Sequence, residues 1–124
     1  MKTIDKSLIQ EIQQEAEKLQ KEYSDKPIST LEARFKEEWW SATPPLPIAT
    51  RELEETFGER FKKRLIAEAI KNRDLGAALI GYITGQVINE AQTLGIDLAV
   101  YRLAIAVLIA IIYRAAIDSI QSKK

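Results

Sequence analysis

The last quarter of the chain limits the folds open to it more than any other feature. From Leu98 to Tyr113 the sequence is apolar, interrupted only by Arg102. Its unbroken part, Leu103–Tyr113, rises only about 16 Å as a helix, against a hydrocarbon core of about 30 Å. Counted from Leu98 the stretch is still short and carries a charge inside. A helix that is apolar almost all round belongs at the centre of a bundle. This reading makes a demand on the rest of the chain: the other segments must each supply one apolar face to cover it.

The other segments meet that demand. Ile4, Leu8, Ile12, Ala16, Leu19 and Tyr23 recur at steps of three or four, which draws one stripe along a first helix over about 3–24. Ser24-Asp25-Lys26-Pro27 ends it. Ser29-Thr30-Leu31-Glu32 has the pattern of a capping box and opens a second helix over about 30–43, with Leu31, Phe35 and Trp39 on one face. Pro44, Pro45 and Pro47 stop it and predict an extended connector over 44–49. Thr50 then caps a third helix over about 51–73, in which Leu53, Phe57, Phe61, Leu65 and Ala69 repeat every four residues. Asp74 is expected to cap a fourth helix over about 75–94, despite Gly76, Gly81 and Gly85, with Gly95 as its terminator. Asp97 caps the fifth, over about 98–121. No segment shows two-residue alternation, so strands are not expected. The reading is an all-α, single-domain bundle of about five helices with a central apolar C-terminal helix.

The short joint at Gly95-Ile96 makes the last two helices an antiparallel hairpin. Residues equidistant from it should face each other, which pairs Gly85 with Ala106, Gly81 with Ala110, and Glu90 with Arg102. Small residues on both sides would let the backbones approach closely, and Glu90 would form an ion pair with Arg102. Gly81-x-x-x-Gly85 also has the spacing of a membrane dimer motif, but tight packing inside a water-soluble hairpin is the preferred reading. Arg114 and Asp118 form a four-residue ion pair on one helix face. The first 25 residues alternate Lys and Glu with widely spaced Ile and Leu, unlike a secretory signal, and the expected location is the cytoplasm.

Composition then closes several kinds of chemistry. There is no Cys and no His, so disulfides, thiolate or imidazole metal sites and Ser–His or Cys–His machinery are excluded. The glycines lie inside helical patterns and not after a strand, so no phosphate-cradling loop is expected. Asp97 and the Arg114–Asp118 pair have simple structural uses. No catalytic residue, metal site or cofactor is assigned, and an enzyme is not expected.

The charges are balanced overall, 18 basic against 18 acidic, but not evenly spread: residues 44–73 carry seven basic and five acidic groups. Arg60, Arg64 and Lys71 fall within about 40° of one another on a helix at roughly 100° per residue. They make a short basic stripe able to meet a few backbone phosphates without reading bases, within a positive excess on this helix that also includes Lys62, Lys63 and Arg73. A solvated charged face, partly offset by Glu59 and Glu68, is the plainer account of the same residues. Trp39 and Trp40 are adjacent, so one helical face cannot bury both. One should close the core while the other meets the proline connector or a partner, which makes Trp39, Trp40 and Leu46 the partner-interface candidates. Pro44-Pro45-Leu46-Pro47 also has PxxP spacing, though a stiff linker explains it better.

Five or so helices, a basic stripe, small size and no catalytic apparatus resemble the small helical subunits of CRISPR effector complexes. Leu79-Ile80-Gly81-Tyr82-Ile83-Thr84-Gly85-Gln86 is similar to a glycine-bearing helix in the C-terminal regions of some large effector subunits, and the likeness extends over residues 60–121 at most. The resemblance implies a non-catalytic subunit that helps hold a nucleic-acid backbone, with Arg60, Lys63, Arg64, Lys71 and Arg73 as the contacting residues. The net charge of zero departs from that family. The expected function is therefore a non-enzymatic interaction subunit of a larger assembly, with a protein partner or self-association and backbone contact through the third helix. The alternatives are a stand-alone homo-oligomer with a Trp39/Trp40 interface and a membrane-associated helical hairpin.

Overall fold

The computed structural model describes residues 6–42, 61–93, 95 and 97–122. Five α-helices account for most of them: α1 (Lys6–Glu22), α2 (Ile28–Ala42), α3 (Phe61–Lys71), α4 (Leu79–Thr93) and α5 (Arg102–Ser122). A 3₁₀ segment, Arg73–Ala78, joins α3 to α4. The described residues include no strand. The proline connector, Leu46, Thr50 and the first half of the expected third helix, Arg60 included, lie outside the described residues, as does the side chain of Trp40.

α5 is the axis. Every side chain from Ala104 to Ile112 is at most 2% exposed, nine in succession and therefore on all sides of the helix. α1, α2, α3 and α4 all pack against it. It is long and apolar enough by length and composition to cross a membrane over Arg102–Gln121, yet 56% of that window is buried inside the protein.

The four outer helices form a wall whose neighbouring members touch in turn. Arg34 Nη1 donates to Tyr23 Oη (3.0 Å) between α2 and the end of α1. Lys62 Nζ lies 3.9 Å from Glu32 Oε2 between α3 and α2. Arg64 reaches Glu90 (3.6 Å) and Tyr82 Oη donates to Glu68 Oε2 (3.4 Å) between α3 and α4. Gly81 of α4 lies against Gln13 of α1. Two further contacts fix the register of α1 on the axis. Arg102 Nη1 donates to Glu11 Oε1 (3.4 Å), and twelve residues along both helices Arg114 Nη1 donates to Tyr23 O (2.8 Å). α1 and α5 therefore run parallel, whereas α4 folds back along both.

The hairpin of α4 and α5 forms, but not through its glycines. A Cβ added at Gly81 would meet the Gln13 side chain at 3.7 Å, and one added at Gly85 would meet nothing within 4 Å. The expected pairings of Gly81 with Ala110 and Gly85 with Ala106 are thus corrected. The cause is the larger apolar stripe on the same helix. Leu79, Ile80, Ile83, Val87, Ile88 and Ala91 are buried, and turning them inward turns Gly85 outward. Glu90 and Arg102 do not pair either: Glu90 is taken by Arg64 of α3, and Arg102 by Glu11 of α1.

The helix ends differ from the sequence reading in several places. α4 begins at Leu79 and not near residue 75, because Gly76 adopts φ 57°, ψ −120°, a conformation L residues rarely take, and breaks the chain direction there. Asp74 falls within the 3₁₀ segment and is not the cap of α4. Ser29 lies in the first turn of α2, which already starts at Ile28, so it does not act as the cap. α5 begins at Arg102 and not near residue 98, so Asp97 does not cap it directly: its Oδ1 accepts from the amides of Ala99 (3.0 Å) and Val100 (3.4 Å) and holds the turn that leads into α5. Gly95 ends the α4 side of the joint at φ 76°, as a terminating glycine should. Arg114 and Asp118 form the expected pair at 3.6 Å.

Two substitutions should separate the axis from the surface. Ile109→Ala empties a wholly buried site and should destabilise by about 2–5 kcal/mol in urea or thermal unfolding. Gly85→Ala adds a methyl to open space on a helix and should stabilise by up to about 1 kcal/mol. A destabilising Gly85→Ala would show that this face is packed.

Candidate nucleic-acid interface

The four-residue repeat of Phe61, Leu65 and Ala69 decides how α3 sits: these three are buried, at 5%, 1% and 0% exposure. Helical geometry then puts Lys63 about 160° from the centre of that stripe and Arg64 and Lys71 about 100–120° from it on one flank, and all three are exposed. Arg73 follows in the 3₁₀ segment and is exposed too. Lys63 and Lys71 are about 12 Å apart along the axis at 1.5 Å per residue. The structure thus gathers four of the five sequence candidates on the outer side and lower end of α3.

These cations are not equally available. Arg64 lies 3.6 Å from Glu90 and places its guanidinium 5.3 Å from the centre of the Phe61 ring, although its side chain stays 60% exposed. The ring and the carboxylate hold its direction without removing it from water, so the pair contributes little to stability. Lys62, on the flank, is half-buried and paired with Glu32. Lys63, Lys71 and Arg73 have no carboxylate partner among the described residues. A face of this kind offers backbone-phosphate contacts and no base-reading geometry.

The aromatic pair behaves differently from one of its expected roles. Trp39 is 2% exposed, with its ring centre 5.8 Å from Phe35 and 4.7 Å from Tyr101. It ties the end of α2 to the turn before α5, so it belongs to the core and is withdrawn from the partner-interface candidates.

No group of three or more Asp and Glu side chains placed to hold a metal ion occurs among the described residues. Thr84, the buried polar residue, donates to Ile80 O (2.7 Å) within its own helix. Half-burial raises the pKa of the Tyr82 phenol above the usual value, and the adjacent Glu68 carboxylate raises it further. Among the described residues an open cleft of about 140 Å³ lies between α1 and α5, lined by Glu11, Ile12, Glu15, Arg102 and Leu103. It was not foreseen, because only the parallel register of α1 on α5 brings these residues together. Comparisons with protein-family models, curated proteins and solved structures find no match.

The rearranged ion pairs are open to test. A double-mutant cycle between Arg64 and Glu90 should show a coupling of about 0.2–1 kcal/mol, and a cycle between Glu90 and Arg102 should show none. Tyr82 should also leave a trace at alkaline pH. The folded protein holds its phenolic proton more tightly than the unfolded chain, so this contribution is full below about pH 10 and is lost as pH rises through the folded value. Tyr82→Phe should flatten that alkaline decline, measured as unfolding free energy against pH.

Proposed function

We propose that the chain is a non-enzymatic interaction subunit of a larger cytoplasmic assembly, and that it lays the outer face of α3 along a nucleic-acid backbone. The observation that carries this reading is the set of exposed cations Lys63, Lys71 and Arg73, without carboxylate partners among the described residues, beside an Arg64 held outward by Phe61 and Glu90. In a chain of zero net charge such a concentration on one helix is a local positive potential, and steering by it falls off with salt. The resemblance to small helical CRISPR subunits points to the same use.

The two rival readings have less support. A homo-oligomer with a Trp39/Trp40 interface loses one of its two rings, because Trp39 is stacked inside, while the Trp40 side chain lies outside the described residues. A membrane hairpin would need lipid to satisfy α5, whereas four helices already surround its apolar stretch.

The test is binding of a fluorescent single-stranded oligonucleotide by anisotropy across a salt series. Four phosphate contacts give a slope of log K against log salt of about −3. Lys63→Glu combined with Lys71→Glu should roughly halve that slope and weaken binding at every salt concentration, with circular dichroism unchanged. No binding at about 50 mM salt, where phosphate contacts are strongest, would end this reading, as would a double variant that binds like the parent.

A further inference from the structure

The large apolar side chains exposed among the described residues are Leu75 (43%), Val100 (47%) and Leu103 (41%). They lie in two places. Leu75 sits in the 3₁₀ segment just before α4, whereas Val100 and Leu103 sit at the start of α5, next to the end of α4. Because α4 and α5 are antiparallel, these are opposite ends of the bundle, separated by the length of α4, about 22 Å at 1.5 Å per residue.

The charges around the two places are opposite in sign. Leu75 is flanked by exposed Lys71, Arg73 and Asp74, a net charge of +1. Leu103 forms one wall of the cleft that also contains Glu11, Glu15, Arg102 and the buried Ile12, a net charge of −1. Arg102 is occupied by Glu11 at 3.4 Å, which leaves Glu15 without a cation among the described residues. At about 140 Å³, open to solvent and part apolar, the cleft is of a size to admit one aliphatic side chain.

We infer that copies of this chain associate head to tail, the Leu75 end of one bundle entering the Leu103 cleft of the next, with Lys71 and Arg73 facing Glu11 and Glu15. The occupant is a second copy because the chain itself presents both complements: an exposed leucine in a patch of net charge +1 and a part-apolar cleft of net charge −1. A contact between unlike surfaces at opposite ends leaves one of each free in a dimer. Growth therefore continues past two copies unless the geometry closes a ring. The contact shares Lys71 and Arg73 with the proposed phosphate face, but it does not use Lys63 and needs no nucleic acid, so self-association measured without nucleic acid can fail while phosphate binding survives, and the reverse.

Sedimentation velocity of the full chain in low salt, without nucleic acid, is the experiment. The weight-average mass should rise with concentration from the 14.0 kDa of one chain past that of a dimer, and fall back on adding salt. Leu75→Asp and Leu103→Lys each put a repelling charge at one end, on exposed positions where folding should survive. Each variant alone should stay monomeric. An equimolar mixture should form a dimer and stop there, because each variant keeps the end that the other has lost. A parent chain still monomeric at roughly 1 mM, the weak end of the affinity scale, would overturn the inference. So would self-association that persists in both single variants, or a mixture that remains monomeric.

Discussion

The structure depends on the burial of one helix on every side. Nine consecutive residues of α5, Ala104–Ile112, have almost no contact with water. No single neighbour could cover all nine, since successive residues point about 100° apart. Each outer helix supplies one stripe: Ile12, Ala16 and Leu19 from α1, Leu31, Phe35 and Trp39 from α2, Phe61, Leu65 and Ala69 from α3, and the branched row of α4. The mostly charged and polar outer faces of α1, α2 and α3 follow from the same arrangement. Burial of this apolar surface is the dominant stabilising term, and the polar links between outer helices set register more than they add stability.

Register is where the ion pairs matter. Arg102 with Glu11 and Arg114 with the carbonyl of Tyr23 hold two points of α1 on α5 with the same offset in sequence. Arg114 is the better placed of the two, at 2.8 Å and half-buried, and it is a second donor to the Tyr23 carbonyl, which also accepts from the Lys26 amide (3.1 Å) just past the end of α1. Tyr23 is the meeting point of this end of the bundle, because its hydroxyl also accepts from Arg34 while Lys26 lies 5.0 Å from its ring. The opposite end closes with Trp39 on Tyr101. Between these two closures the exposed cations of α3 and the two apolar ends remain free for other molecules.

The fold was largely legible in the sequence, because the apolar periods of Ile12–Leu19, Leu31–Trp39 and Phe61–Ala69 survive unchanged as buried stripes. The central place of α5 was legible for the same reason. Pairings between helices were less so. Equal distance from the joint placed Gly85 opposite Ala106, but this rule ignores rotation about the helix axis, which the bulkier Ile80, Ile83 and Val87 determine. Glu90 could not be assigned to Arg64 without knowing that α3 lies beside α4, and nothing local to either residue says so. The start of α4 was missed because a glycine within a helical pattern looks the same whether it is tolerated or, like Gly76, turns the chain. The exposure of Arg64 and Lys71 was legible from their spacing on the helix, whereas Arg60, the third member of that stripe, lies outside the described residues. The cleft beside Leu103 was not legible, since it combines residues about 90 positions apart, as in Arg102 and Glu11.

Hydrogen exchange of the native protein in detergent-free buffer addresses the central claim most directly. If α5 is the enclosed axis, the amides of Ala104–Ile112 exchange only through global unfolding, and their opening free energy equals that of the whole protein. Amides in this stretch that exchange as fast as those on the outer turns of α1, or a chain that stays dispersed only in detergent, would contradict it.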